Sequence, residues 1–334
     1  MTGRTQWCTR CGASSPLRRC AAFHGALAPA CGAAAPLWAQ ALLPLPPPPS
    51  SPTSPHGKKR ALLVGISYKR SWKRLEGSVN DVNCMKFLLQ RRFGFPEPSI
   101  LVLTDGEGNP RRTPTRENIL EAMRWLVSGC RRGDSLVFHF SGHGSQLADK
   151  DGDELDGYDE TLCPVDYQKS GAIVDDMVNA ILVRPLPQGV TLHAVVDACH
   201  SGSALDLPFV CNMNSKGDYQ WESYSRLPKG TSGGLAVCFS SCGDDQTSSE
   251  TNAFSGNATT GAMTYCFIKA VERGSARTYG SLLLNIRKSI RKSEAGAAAS
   301  IIPFMGKFLR SRSHQVPQLS SSERFDVNQK LLTL

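Results

Sequence analysis

The chain has 334 residues, 40% hydrophobic and 20% charged, with a formal net charge of +9. That length and apolar share support one large or two small domains with a buried core, and they exclude a chain disordered throughout. No run of about 18 apolar residues is free of charge or proline, which argues against a membrane-spanning helix. The charge is segregated. Residues 1–57 hold four Arg and no acidic residue, residues 149–176 hold ten Asp/Glu against two Lys, and residues 269–334 hold twelve Lys/Arg against four Asp/Glu. A nucleic-acid binder would carry a basic stripe interleaved with polar and aromatic side chains. A dense acidic segment between basic ends fits a cation site instead, so no nucleic acid is expected as a partner.

The first 57 residues read as a Cys/Pro-rich prodomain. A secreted disulfide scaffold would be smaller and would open on a signal peptide, whereas MTGRTQWCTRCG has no apolar stretch of that kind. The twelve cysteines are therefore read as reduced and the protein as intracellular, cytoplasmic or nuclear. An Ala-rich, Arg-bearing, acid-free head also describes an organellar transit peptide. Cys8 and Cys11 form a CxxC half-site, and Cys20 and Cys31 complete a set of four candidate zinc ligands, at wider spacing than a second close pair. Residues 44–55 (PLPPPPSSPTSP) hold seven prolines, a polyproline-type spacer that could also serve protein partners of the head.

The body alternates strand and helix signals from Lys58 onward. Ala61–Ile66 reads as a buried strand. Ser78–Arg92 reads as a helix with Ser78 as N-cap and Val79, Val82, Met85, Leu88 and Leu89 at helical spacing. Ile100–Leu103 is a short strand, and Pro114–Ser128 a helix with proline in its first turn. Strands follow at Leu136–Phe140, Leu192–Val196 and Leu235–Phe239, and helices at Gly261–Glu272 and Tyr279–Lys292. This alternation predicts an α/β fold with a mostly parallel sheet covered on both faces. Residues 211–233 are polar and marked by Gly and Pro, and read as a linker loop between a region at 58–210 and a second at 234–334.

In such sheets functional loops lie at the carboxyl ends of strands. Two predicted strand ends carry reactive residues: Ser141-Gly142-His143-Gly144-Ser145, and Asp197-Ala198-Cys199-His200-Ser201-Gly202. An imidazole beside a thiol shifts it toward the thiolate nucleophile, and glycine admits a substrate backbone and leaves N–H groups to stabilise an oxyanion. The His-to-Cys separation of 56 positions and the motif DACHSG are close to the Q-A-C-x-G arrangement of caspases. His200, next to the nucleophile on the chain, is a poorer base because it points away from the partner loop. His139 and His193 read as structural. In the acidic stretch, Asp149, Asp151, Asp153 and Glu160 fit positions 1, 3, 5 and 12 of an EF-hand count. Glu154 stands at the required glycine, so the EF-hand is rejected.

FHFSGHGSQ, DGDELDGYDETLCPVD, VDDMVN, VVDACHSG and the closing QVPQLSSSERFDVNQKLLTL together make the chain resemble the metacaspases, caspase-like cysteine peptidases, and their plant type I branch in particular. The resemblance spans about residues 58–334. It implies a caspase-like α/β/α sandwich and a calcium-dependent, self-processing endopeptidase that cleaves after Arg or Lys through an acyl-enzyme intermediate. By motif, His143 is the general base and Cys199 the nucleophile, with the amides of Gly144 and Cys199 as oxyanion hole. Asp81, Ser141 and Asp197 line a pocket for the basic residue, where carboxylates suit a guanidinium or ammonium. Ser78 stands where the family often has Cys, and its hydroxyl is expected to line the same pocket. Calcium is expected on Asp159, Asp175, Asp176 and Asp206, four hard oxygen donors unsuited to zinc. Self-cleavage is expected in the 211–233 loop, after Lys216, Arg226 or Lys229, and at Lys58-Lys59-Arg60. The alternative is a catalytically silent scaffold acting through its head; a monomer is the expected state.

Overall fold

A computed structural model gives the fold. It describes residues 6–7, 14–15, 58–69, 71, 73–106, 108–149, 157–223, 229–241, 250–251, 260–274, 276–300 and 316–334. By its contacts the chain divides into Met1–Pro44 and Leu45–Leu334, a boundary ahead of the one expected at residue 57. In the first unit, β1 (Gln6–Trp7) pairs antiparallel with β2 (Ser14–Ser15). The zinc candidates Cys8, Cys11, Cys20 and Cys31 lie outside the described residues.

The second unit opens with β3 (Lys59–Gly65), α1 (Ser78–Phe93), β4 (Ile100–Thr104), α2 (Arg116–Val127) and β5 (Ser135–Ser141). A three-stranded antiparallel ladder follows, from β6 (Gly144–Ala148), β7 (Tyr158–Leu162) and β8 (Ile173–Val174), with α3 (Tyr167–Ser170) before β8 and α4 (Asp175–Val178) after it. Next come β9 (Thr191–Asp197), β10 (Phe209–Met213), β11 (Tyr219–Ser223) and β12 (Leu235–Ser240). The short pair β13 (Glu250–Thr251) and β14 (Thr260–Gly261), α5 (Ala262–Glu272), α6 (Tyr279–Ser300) and β15 (Gln318–Ser321) complete the body.

The eight-stranded sheet has the order β11-β10-β15-β12-β9-β5-β3-β4. The five strands from β12 to β4 are parallel, and the three at the other side alternate antiparallel. Because side chains alternate along a strand, β3 sends Leu62 and Val64 to one face and Ala61 and Leu63 to the other. The first face buries Ile119, Met123 and Leu126 of α2 with Val178 and Leu182; the second buries Val82, Met85 and Leu89 of α1 with residues of α5 and α6. The result is the expected α/β/α sandwich. Among the described residues no helix is long and apolar enough to cross a membrane.

Several local expectations are corrected. Ser78 is the first residue of α1 rather than its cap: Gly77 holds that position, without a side-chain cap bond. Pro114 precedes α2, whose cap is Thr115, its hydroxyl oxygen accepting from the Asn118 N–H. Residues 209–223 do not form a loop outside the sheet. They form the β10–β11 hairpin on its edge, burying Val210, Cys211 and Met213. Its turn is set by Asn214, whose Oδ1 accepts from the N–H groups of Lys216, Gly217 and Asp218, and by Gly217 at φ 98°. Nor is Lys58-Lys59-Arg60 an accessible cleavage point. Lys59 and Arg60 begin β3, and the buried Arg60 guanidinium donates to the Trp125 and Ser128 carbonyls that end α2. These interactions satisfy C-terminal carbonyls of a helix with a cation, as the helix dipole favours.

Candidate active site

β5 and β9 are adjacent parallel strands in register, with Ser141 opposite Asp197. His143 and Cys199 each lie two residues beyond that last pair, so sheet register alone brings the two loops together. The Gly142 N–H donates to the Asp197 carbonyl at 3.2 Å. Gly144 lies directly against the Cys199 carbonyl, closer than any β-carbon would allow. The turn carrying Cys199 is held from β12: Ser241 Oγ accepts from the Ala198 N–H and donates to the Ala198 carbonyl, and the Ser241 N–H donates to Val196. His200 follows at φ 47°, turning the chain sharply after the thiol.

His143 Nε2 lies 2.6 Å from the Lys73 carbonyl. A carbonyl only accepts, so the proton of the neutral ring sits on Nε2 and the lone pair is on Nδ1. The Tyr68 ring lies against the imidazole, tilted by 34°, at 4.5 Å between ring centres. Neither Lys73 nor Tyr68 carried a signal in the sequence, because both act through contacts set by the path of the chain after β3. Cys199 is half-buried, as are Cys84 and Cys130, whereas Cys163, Cys211, Cys238 and Cys266 are buried. Burial pushes Cys163 and Cys211 up to about 11, and Cys238 and Cys266 up to about 12, which keeps them protonated and inert. Cys242 lies outside the described residues.

Beside the dyad, two buried carboxylates converge on one glycine. Asp81 accepts from the Ser141 hydroxyl at 2.8 Å and from the Gly261 N–H at 3.1 and 3.0 Å. Asp197 Oδ2 accepts from the Thr264 N–H at 2.8 Å and its hydroxyl at 2.9 Å. A β-carbon on Gly261 would collide with both carboxyl groups. Ser78, one turn before Asp81 on the same helix face, is buried as well. The structure brings together Asp81, Ser141 and Asp197, the residues that the resemblance implied, and adds Gly261 and Thr264, which reach them only because α5 starts there. These donors orient the two carboxyl groups toward the same point, and carboxylate oxygens are the acceptors that suit a guanidinium or ammonium.

The four calcium candidates lie at a second acidic corner. Asp159 is on β7, Asp175 and Asp176 begin α4, and Asp206 follows β9 at φ 48°. Burial pushes the Asp175 carboxyl up to about 7; the Ser203 hydroxyl and the N–H groups of Asp176 and Glu160 hold it down, and the Asp159 charge adds to the rise. Between Asp176 and Asp206 sits the ammonium of Lys229, 2.8 Å from one and 2.5 Å from the other and only 4% exposed. The Lys229 carbonyl accepts from Asn179 Nδ2 at 3.4 Å. Of the expected self-cleavage points, then, Lys229 is buried, Lys216 is in the hairpin turn, and Arg226 lies outside the described residues. Among the described residues no three His, Cys, Asp or Glu side chains are arranged to hold a metal ion.

His139 and His193 are buried in the sheet, as expected for structural residues. His139 Nδ1 donates to the Val195 carbonyl at 2.9 Å, and His193 Nε2 pairs with the Tyr279 hydroxyl at 2.7 Å. Desolvation lowers them to about 4 and about 3, so both stay neutral.

The family model of the metacaspase peptidase C14 domain matches residues 59–208. The chain is 49% identical over 310 residues to Metacaspase-2 of Arabidopsis thaliana, covering 85% of this chain and 74% of that protein. It is 53% identical over 277 residues to Metacaspase-3 of the same plant, covering 82% and 75%. A crystal structure of a Geobacter sulfurreducens protein shares the fold with a TM-score of 0.52 and 20% identity, over 82% of this chain and 97% of that one. With the loops that carry His143 and Cys199 following adjacent parallel strands of an α/β/α sandwich, and with about half of the aligned residues identical to such relatives over most of its length, this chain belongs to the metacaspase family of peptidase C14 cysteine peptidases.

Proposed function

We propose that the protein is an endopeptidase that cleaves after Arg or Lys, with Cys199 as nucleophile and His143 as general base. The observation that carries this reading is the pair of buried carboxylates, Asp81 and Asp197, meeting at Gly261 beside the His143–Cys199 loops. An Arg or Lys side chain would bring a positive charge to a site built around two carboxylates; a substrate carboxylate would bring a third acidic group into the same confined space.

In the reaction, Nδ1 of His143 takes the Cys199 proton while Nε2–H stays on the Lys73 carbonyl. The thiolate attacks the scissile carbonyl, and its oxygen gains the negative charge that backbone N–H groups of the Gly144–Cys199 contact would stabilise. The imidazolium returns the proton to the leaving amine as the C–N bond breaks, leaving a thioester. Water, deprotonated by His143, then attacks the thioester and frees the Cys199 thiol.

Calcium dependence belongs to the same proposal. Asp159, Asp175, Asp176 and Asp206 would hold the ion. All are hard oxygen donors of the kind calcium prefers, and the ion would have to displace the buried Lys229 ammonium from Asp176 and Asp206. The ion would supply fixed positive charge tying β7, α4 and the segment after β9 together. Self-cleavage after Lys229 first requires that side chain to leave Asp176 and Asp206.

The test is turnover of fluorogenic peptides ending in Arg, Lys or Asp, with and without calcium, by the full chain and by Cys199→Ala. Cleavage of the Arg and Lys peptides alone, abolished in the variant, is expected. Equal cleavage of the Asp peptide, or no turnover by the unmodified chain under either condition, would contradict the reading.

A further inference from the structure

We infer that Tyr68 is a positioning residue for the general base: its hydroxyl locks the His143 backbone and its ring faces the imidazole. Three hydrogen bonds form a closed cycle. The His143 N–H donates to Tyr68 Oη at 2.9 Å, the Tyr68 hydroxyl donates to the Cys163 carbonyl at 2.5 Å, and the Cys163 N–H donates to the His143 carbonyl at 3.0 Å. Both backbone polar groups of His143 are thereby satisfied by one side chain and one neighbouring peptide. The imidazole is then fixed from two further sides, by the Lys73 carbonyl on Nε2 and by the Tyr68 ring at 4.5 Å and 34°.

The surroundings are shaped to hold Tyr68 in this role. Its backbone has φ 49°, a left-handed conformation uncommon for a bulky residue and characteristic of sites where surrounding structure imposes geometry. Gly142 makes room for it, since a β-carbon there would lie 3.0 Å from Tyr68 Oη. Desolvation raises the phenol well above its usual range, so it remains an O–H donor throughout the working pH range. The titratable and charged groups around the Tyr68–His143 pair are Cys163 and Cys199, Lys73, Asp105 and Tyr167.

The two parts of the side chain do different work. The hydroxyl sets where the ring of His143 stands relative to Cys199. The aromatic face lies beside an imidazole that becomes cationic when it takes the thiol proton, and a π face attracts a cation. Loss of the hydroxyl therefore weakens alignment, and loss of the ring also weakens the thiolate–imidazolium pair.

This rests on the Cys199–His143 dyad, and the experiment separates the two ideas. Alkylation of Cys199 by iodoacetamide, located by peptide mass spectrometry, is followed against pH in the full chain and in Tyr68→Phe, Tyr68→Leu and His143→Ala. Turnover of an Arg-ended peptide is measured alongside. Tyr68→Phe is expected to lower kcat about tenfold with KM unchanged, and to leave the pH midpoint of alkylation in place. Tyr68→Leu is expected to move that midpoint up by about half a pH unit, toward His143→Ala. Unchanged kcat, KM and alkylation profile in Tyr68→Phe and Tyr68→Leu would overturn the role of Tyr68. An identical profile for the unmodified chain and His143→Ala would overturn the dyad instead.

Discussion

The backbone carbonyl of Cys199 fills the space that a β-carbon on Gly144 would need. The contact joins the loop after β5 to the loop after β9 without an intervening side chain, and it puts two candidate oxyanion donors on one edge of the site. Gly144→Ala forces the loops apart. Overpacking of this kind costs about 1–3 kcal/mol, so thermal unfolding is expected to fall by a few degrees while peptide turnover falls by about two orders of magnitude. A variant with full turnover would show that the close approach has no part in catalysis.

The acidic pocket gives a second expectation. Asp81→Asn keeps the shape and an acceptor for the Ser141 hydroxyl, but removes the charge. Hydrogen bonds to charged groups contribute roughly 1.5–3 kcal/mol, so kcat/KM for Arg- and Lys-ended peptides is expected to fall about 10- to 100-fold. Gly261→Ala should block the same pocket sterically, because its methyl group would occupy the space of the Asp81 and Asp197 oxygens. Steady-state kinetics on both variants, with circular dichroism to confirm the fold, checks this. Retained Arg preference in Asp81→Asn would remove that residue from specificity.

Lys229 competes for the carboxylates assigned to calcium. Lys229→Met keeps the length of the buried side chain and frees Asp176 and Asp206 from the ammonium. Titration calorimetry in a Cys199→Ala background, where self-cleavage cannot occur, is expected to show calcium binding about tenfold tighter in Lys229→Met. Equal affinity with and without the lysine would place the calcium elsewhere.

Acid stability follows from the buried histidines. His139 and His193 have folded values of about 4 and about 3, below the value near 6.5 expected in the unfolded chain. Above 6.5 neither state binds the proton and the pair adds no pH dependence. As pH falls below 6.5 only the unfolded chain takes protons, so each histidine removes up to about 1.4 kcal/mol of stability per pH unit until its folded value is reached. Urea midpoints measured from pH 7 to pH 5 should therefore decline, and His139→Asn should flatten the decline. Asp175, whose folded value of about 7 lies above its unfolded one, opposes this by taking a proton in the folded chain alone, so the test is the difference between the two proteins: the same pH dependence in His139→Asn and the unmodified chain would contradict the neutral, buried state of that ring.

Much of this was legible in the sequence because it depends on strand ends. The parallel strands are short, mostly buried runs rich in Leu, Val and Ala, and the residues just past two of them carry the thiol and the imidazole. Register in a parallel sheet then does the rest: with Ser141 opposite Asp197, His143 and Cys199 are brought side by side. The Asp81 and Asp197 pocket was readable only through motif resemblance, since Asp81 reaches Gly261 across 180 positions. The β10–β11 hairpin was misread because it is an edge ribbon whose residues are half polar, so the alternation is weak and the turn signals at Asn214 and Gly217 suggest a loop. Tyr68, Lys73 and Lys229 had no local signature. A tyrosine hydroxyl on a backbone amide, a carbonyl on an imidazole and a lysine between two distant aspartates are all fixed by tertiary geometry alone.

The central claim is that Cys199 attacks substrates whose basic side chain enters the Asp81–Asp197 pocket. The most direct measurement is intact and peptide mass spectrometry after exposure to a peptidyl chloromethyl ketone ending in Arg, against the same reagent ending in Asp. One adduct on Cys199 with the Arg reagent, little or none with the Asp reagent, and none in His143→Ala is expected. An adduct on another cysteine, or equal labelling of Cys199 by both reagents, would contradict the account.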